Sequence, residues 1–308
     1  MDVVSDAISA VRTGRPSSNR LTVRGSWCTR LAPYEGAGFH VVLSGGCSLL
    51  PDGGGEPVTL GAGDVVLLPH GAGHVLADGP VDAARAERAV PFESLTDPVG
   101  SLRGEGHEAE LLCGKYRLDR SRVHPLLAEL PQVVHLPNRV GADPELRYAV
   151  DLLARELDER RPGACLALPS LLDLLLVYMV RAWMARARTG AWPGVLSDPV
   201  TTAALRALHT DPAAPWTIDR LAAEAGVSRA TLSRRFTSLV GRPPMAYLTW
   251  WRLTLSATRL RDSDAPLATV AREAGYGSPY ALSHAFSREF GVTPGRYREL
   301  AADRGREA

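Results

Sequence analysis

Apolar positions along the 308 residues follow two rhythms. Between 21 and 120, short apolar runs alternate with turn signals. FHVVLSG (39–45), CSLLPDGGG (47–55), PVTLGAGDVVLLPHGAGHVLAD (57–78) and AELLCGKYRL (109–118) read as strands, the second and third joined by a glycine-rich hairpin. Many short strands at this spacing predict a barrel or jelly roll. HPLLAELPQVVHLP (124–137) reads as a strand or turn crossing it. The rhythm then becomes helical: after an Asp143-Pro144 start, Leu146, Ala149, Val150, Leu153 and Leu157 fall on one face. Pro162-Gly163 breaks the chain, and LPSLLDLLLVYMVRAWMA forms a second helix. Its leucines (Leu171, Leu172, Leu174, Leu175, Leu176) exceed one stripe, which predicts a subunit interface on this hairpin.

The C-terminal third carries one pattern twice. AGVSRATLSRRFTSLVGRPPMAY (225–247) returns as AGYGSPYALSHAFSREFGVTPGRY (274–297). Leu232, Phe236, Gly241, Pro244 and Tyr247 recur as Leu282, Phe286, Gly291, Pro294 and Tyr297. A short apolar helix precedes each copy, with Ile218 and Leu221 matched by Leu267 and Val270. Glycine allows the tight turn, and Ser228 or Ser278 then caps a second helix, with Pro279 at the first helical position. Helix, glycine turn, helix is the helix-turn-helix pattern, whose second helix enters the major groove of DNA. Leu232 and Phe236, four apart, share the inward face. Arg229, Ala230, Ser233 and Arg234 turn outward, as do Tyr280, Ser283, His284 and Arg288 in the second copy. Arginine can grip guanine bidentately, and small residues let a helix come close to base edges. Arg235 is offset toward a phosphate.

On these residues the stretch 198–300 resembles the AraC/XylS family of bacterial transcription regulators. The resemblance implies two helix-turn-helix units joined by the helix PPMAYLTWWRLTLSATRLRDS, reading successive major-groove segments of double-stranded DNA at a promoter. It carries over base contacts to Ala230, Ser233 and Arg234, and to Tyr280, Ser283 and His284. It also implies RNA polymerase as a partner, and a homodimer formed through the helical hairpin. Ala230 is smaller than the reader often found there, which shifts weight to Arg234. Trp251, Leu255 and Leu248 of the joining helix read as core.

Gly63, Pro69, Gly71 and His74 fit the G-x5-P-x-G-x2-H pattern of a cupin, and residues 20–120 resemble the cupin-type sensor of such regulators. The expected fold class is therefore α+β. A cupin-like sensor barrel (1–120) precedes a helical connector (121–188), a linker (189–197), an all-α domain of two helix-turn-helix modules (198–302) and a tail (303–308). Metal-dependent cupins supply an H-x-H pair, a Glu and a later His. Here Val42 follows His40 where the second His belongs, so the full set is absent. His40 and His74 are either hydrogen-bonded barrel residues, a reduced metal site with Cys47 for zinc or another borderline metal, or contacts to an organic effector. A cupin metalloenzyme or metal sensor fused to a DNA-binding module is the alternative to a regulator that does no chemistry.

Composition adds less. Net charge is +1, but residues 197–308 hold fifteen arginines against eleven acidic side chains, while 1–196 are net negative. A surplus of +4 is modest for a DNA binder and implies a few phosphate contacts. Among Cys28, Cys47, Cys113 and Cys165, no C-x-x-C pair points to structural zinc. Cys28, near Arg24 and Arg30, and Cys113, near Lys115 and Arg117, are the candidates for oxidant sensing, which needs electropositive surroundings. The other reading is small buried side chains, and Cys165 looks like packing. No leader is visible, and Asp173 and Arg181 cut the most apolar run below membrane-spanning length. The expected location is the cytoplasm, with a small-molecule or oxidant effector, no cofactor and no membrane partner.

Overall fold

A computed structural model describes residues 3–92, 101–102, 108–118, 124–139, 141–159, 161–187 and 191–306. The chain divides into two compact units. One gathers Met1–Val11, His124–Glu129 and Ala187–Ala308, and the other holds the sequence between these segments.

After helix α1 (Val3–Val11), which belongs to the first unit, the chain lays down strands β1 (Ser17–Arg24), β2 (Cys28–Leu31), β3 (Ala37–Ser44), β4 (Gly46–Pro51), β5 (Val58–Gly61), β6 (Val65–Leu68) and β7 (His74–Ala77). Helix α2 (Ala83–Glu87) precedes β8 (Val90–Pro91), β9 (Ser101–Leu102) and β10 (Glu108–Tyr116), and β11 (Val134–Leu136) closes the set. The strands form two sheets, β11-β6-β3-β10-β1-β9 and β5-β4-β7-β2-β8. Side chains alternate across each strand. Leu21, Val23, Val42, Val66, Leu111 and Cys113 of the first sheet thus meet Cys47, Leu49, Leu60 and Leu76 of the second in one apolar interior.

Helices α4 (Pro144–Glu159) and α5 (Ala164–Arg186) complete this unit. Leu146, Ala149, Val150 and Leu153 are buried on α4, on the face that their spacing indicates. Tyr116 Oη donates to the Leu172 carbonyl at 2.8 Å, and Arg12 pairs with Asp173 at 2.6 Å, so α5 is anchored on the sheet. Helix α5 starts at Ala164, earlier than expected, with Pro169 inside it; Cys165 is exposed on it and packs no core. By length and composition α5 is apolar enough to cross a membrane (mean hydropathy 1.7), a property the charges Asp173 and Arg181 do not remove.

Segment 124–137 splits between the units. Helix α3 (Pro125–Ala128) falls in the first unit, and β11 pairs with β6 in the second. The expected linker 189–197 contains helix α6 (Ala191–Ser197), with Trp192 and Val195 fully buried, because those two side chains find apolar neighbours in the helical unit. Then follow α7 (Pro199–Thr210), α8 (Ile218–Glu224), α9 (Arg229–Val240), α10 (Pro244–Asp262), α11 (Leu267–Glu273), α12 (Pro279–Phe290) and α13 (Pro294–Arg306). Helix α13 runs through most of the expected tail. Helix α10 buries Tyr247, Leu248, Trp251 and Leu253 and leaves Leu255 half-exposed.

The glycine turns differ in one respect. Gly226 and Gly275 both have positive φ, 65° and 74°. A Cβ on Gly226 would point into open space, whereas one on Gly275 would lie 2.7 Å from backbone atoms of Ala213. Gly275→Ala is therefore expected to cost about 1–3 kcal/mol, from strain at positive φ plus overpacking. Gly277→Ala, with open space around it, should stay within about 0.5 kcal/mol. Thermal unfolding of both variants checks this.

Candidate functional site

The two outward helices are built alike. Ser228 Oγ accepts the Thr231 amide at 3.2 Å to open α9, and Ser278 Oγ accepts the Ala281 amide at 3.1 Å to open α12. Each ends on a left-handed glycine, Gly241 at φ 77° and Gly291 at φ 72°. Leu232, Phe236, Leu282 and Phe286 are fully buried, each removal from water contributing roughly 1.5–3 kcal/mol. That inward commitment leaves the opposite face to solvent. Arg229, Ala230, Arg234 and Arg235 are exposed on α9, as are Tyr280, His284 and Arg288 on α12, while Ser233 and Ser283 are half-buried. Tyr280 is 80% exposed.

The cations on this surface are not equivalent. Arg229 lies 3.5 Å from Asp219, and Arg235 lies 3.4 Å from Asp198, the residue that caps α7. Both partners escaped sequence reasoning, since each lies on a preceding helix. Exposed pairs of this length hold weakly and yield to a stronger anion. Among the described residues, no carboxylate pairs with Arg234 or Arg288.

Inside the barrel the sequence candidates come together in a different set. His40 of β3 lies opposite Cys113 of β10 in the strand register. His40 Nδ1 is 3.0 Å from Cys113 Sγ, and its Nε2 is 2.7 Å from Nε2 of His74, which comes from the other sheet. Nδ1 of His74 is 3.2 Å from the Ala72 carbonyl. A carbonyl only accepts, so His74 carries its proton on Nδ1 and offers a lone pair at Nε2. His40 must then donate from Nε2, and its Nδ1 accepts the Cys113 S–H. One proton arrangement satisfies every member with both rings neutral. Cys47, expected beside His40, instead sits in the apolar interior with Cys113.

A separation of 2.7 Å is a hydrogen-bond distance. Two nitrogens on one tetrahedral zinc would stand roughly 3.3 Å apart. Among the described residues, no group of three or more His, Cys, Asp or Glu side chains is set to hold a metal ion.

The thiols of Cys28, Cys47 and Cys113 are held in the protonated form. Burial raises Cys113, with a further push from Cys47, and burial with Asp64 pushes Cys47 up to about 12. Lys115 turns instead over the Tyr34 ring, 5.7 Å away. Cys28 is half-buried and raised by desolvation, which outweighs Arg85, Arg30 and Arg88. Arg24 pairs with Glu108. Among the described residues no cation figures among the influences on Cys113, and the cations at Cys28, led by Arg85, do not prevail.

Burial lowers His74 from 6.5 to about 4, and burial with the neighbouring imidazole lowers His40. As pH falls through 6.5, the unfolded chain takes up protons that the folded barrel refuses. The stability contributed by the neutral pair is thus full above about pH 6.5 and falls from there toward pH 4. Hydrogen exchange at β3 and β7, followed across this window and corrected for intrinsic rates, should show opening that eases with acid. A His74→Gln variant should flatten the slope.

Two family models match the chain: Cupin over residues 2–185 and Helix-turn-helix domain over residues 221–300. An AraC-like transcription regulator of Streptomyces lividans is 35% identical over 301 residues, covering 97% of this chain and 98% of that protein. The HTH-type transcriptional regulator MtrA of Neisseria gonorrhoeae is 30% identical, covering 97% and 98%. The RCS-specific HTH-type transcriptional activator RclR of Escherichia coli K12 is 30% identical, covering 85% and 84%. With a cupin half, a doubled helix-turn-helix half and relatives aligned almost end to end, the chain belongs to the AraC family of DNA-binding transcription regulators.

Proposed function

We propose that the chain reads two successive major-groove segments through α9 and α12, binds as a homodimer, and recruits RNA polymerase under control of a small-molecule or oxidant effector sensed by the barrel. The exposed polar faces of two identically capped helices carry this reading. Arg234 is the base reader of the first module, with Ala230 and Ser233 permitting close approach. Tyr280, Ser283 and His284 serve the second module. Arg229, Arg235 and Arg288 meet phosphates, the first two by leaving Asp219 and Asp198. Such a protein works beside the chromosome, in the cytoplasm.

Within this reading the barrel is a sensor and not an enzyme, because His40 and His74 are committed to each other. RclR is named as RCS-specific; an oxidant arm here has Cys28 and Cys113 as its candidates, and burial holds both thiols protonated. Converting the Cys113 S–H to a group without that hydrogen would strip His40 Nδ1 of its donor. Cys28, half-buried beside Arg85, is the more accessible thiol.

The α4–α5 hairpin supports the dimer. Tyr148, Leu152, Leu166 and Leu174 are exposed on it, Leu166 at 79%. In sedimentation, Leu166→Glu combined with Leu174→Glu should shift a wild-type dimer to monomer; an unchanged mass removes the hairpin from the interface.

DNA readout is tested by selecting duplexes from a random pool and measuring binding by fluorescence anisotropy. Arg234→Ala should cost about 1–3 kcal/mol and relax preference at one position. Arg235→Ala should weaken all duplexes alike and lower the salt slope by about 1. Unchanged preference in Arg234→Ala takes that residue out of base reading.

A further inference from the structure

A second buried chain of hydrogen bonds runs through the DNA-binding unit and joins stretches far apart in sequence. The Leu126 amide donates to His124 Nδ1 at 3.1 Å, capping α3. His124 Nε2 lies 3.0 Å from Tyr247 Oη, the same oxygen lies 2.8 Å from His209 Nε2, and His209 Nδ1 lies 2.9 Å from Asp6 Oδ2. His124, His209 and Tyr247 are all buried.

The direction of this relay is fixed at both ends. A backbone amide only donates, so His124 Nδ1 is the acceptor and Nε2 carries the proton toward Tyr247. Tyr247 then gives its hydroxyl proton to His209 Nε2, and His209 Nδ1 donates to the Asp6 carboxyl group.

The residues tied together are not random members of a core. Asp6 is on α1, and the chain leaves the DNA-binding unit after Val11; His124 and Leu126 belong to the short stretch His124–Glu129, bounded on both sides by sequence of the barrel unit. Thr258 Oγ1 of α10 donates to the Ala10 carbonyl at 3.1 Å, a second tie on α1. On the other side, the Tyr247 ring stands edge-on to Phe236 at 5.6 Å, beneath α9. That ring contact is repeated by Tyr297 and Phe286 at 5.4 Å. The ring of Tyr247 therefore serves the module, and its hydroxyl serves the relay.

We propose that the relay Leu126–His124–Tyr247–His209–Asp6 is a clasp: it fastens α1 and the 124–129 stretch to the first reader module, and their docking or release sets how α9 is presented to DNA. Because both stretches are covalently continuous with the barrel, the clasp is where a barrel signal reaches the reader. The proposal rests on α9 being a DNA reader, and its first test needs no DNA.

Full-length Tyr247→Phe keeps the ring and removes only the hydroxyl, and Asp6→Ala cuts the far end from outside the reader modules. In both, hydrogen exchange across residues 3–11 and 124–129 should rise about fivefold or more, with protection of α8, α11 and α12 unchanged. Affinity for the duplex that the wild-type chain selects from a random pool should fall about fivefold with the same base preference. Unchanged exchange in both segments overturns the clasp, as does released exchange with unaltered affinity. Loss of protection throughout α7–α13 in both variants would mean general packing and also overturns it. A wild-type chain that enriches no duplex would instead sink the reader assignment, leaving the exchange result to judge the fastening.

Discussion

An imidazole taken out of water needs a partner of the right kind at each ring nitrogen. Two pairs of histidines meet that demand by the same device. Each pair sits in a line of hydrogen bonds that begins at a group able only to donate or best placed to do so, the Cys113 thiol or the Leu126 amide. Each line ends at an acceptor, the Ala72 carbonyl or Asp6. Direction is therefore built in, and removing any member leaves a buried nitrogen unpaired at a cost of about 1–3 kcal/mol. In the barrel the line crosses between sheets that share an apolar, non-directional interior cluster. The polar tie supplies the directional contact that greasy packing lacks.

What could be read from the sequence was what depends on near neighbours. The doubled Leu–Phe spacing, the capping serines and the terminal glycines lie within a few turns of each other, and the helix-turn-helix modules follow from them. The G-x5-P-x-G-x2-H run likewise placed His74 at the start of an inward-facing strand. Strand β1 was missed although SSNRLTVR alternates, because two of its outward positions are charged; Arg20 and Arg24 find Glu110 and Glu108 more than eighty positions later. Helix α6 was missed because AWPGVLS looks like a breaker. Yet Pro193 falls in the first turn, where the helix has no use for the amide hydrogen that proline lacks.

The second relay left no trace that local reasoning could find. Asp6 and His209 are 203 positions apart, and His124 and Tyr247 are 123 apart. His124 followed by proline reads as a strand or turn, His209 as the end of a helix, and Tyr247 as a repeated aromatic position. Only the phenol oxygen, which the repeat cannot distinguish from the rest of the tyrosine, makes them one group. The same holds for the carboxylates on Arg229 and Arg235, which the helix-face reading could not see. They reduce the free positive charge of a domain that already has little of it, so in the proposed reading specific binding leans on Arg234 and on Tyr280, Ser283 and His284 of α12.

Magnitudes decide whether such a relay suits a regulator. Coupling between distant sites is commonly worth about 1–3 kcal/mol, and a buried hydrogen bond contributes about 1 kcal/mol net. A clasp of three side-chain links falls in that range. One much stronger would never open for an effector of ordinary differential affinity, and one much weaker would not hold α1 against its own entropy. The relay adds no contact to DNA and takes none away. It acts on Tyr247, and through the Phe236 ring on the underside of α9, while the outer face remains free to read.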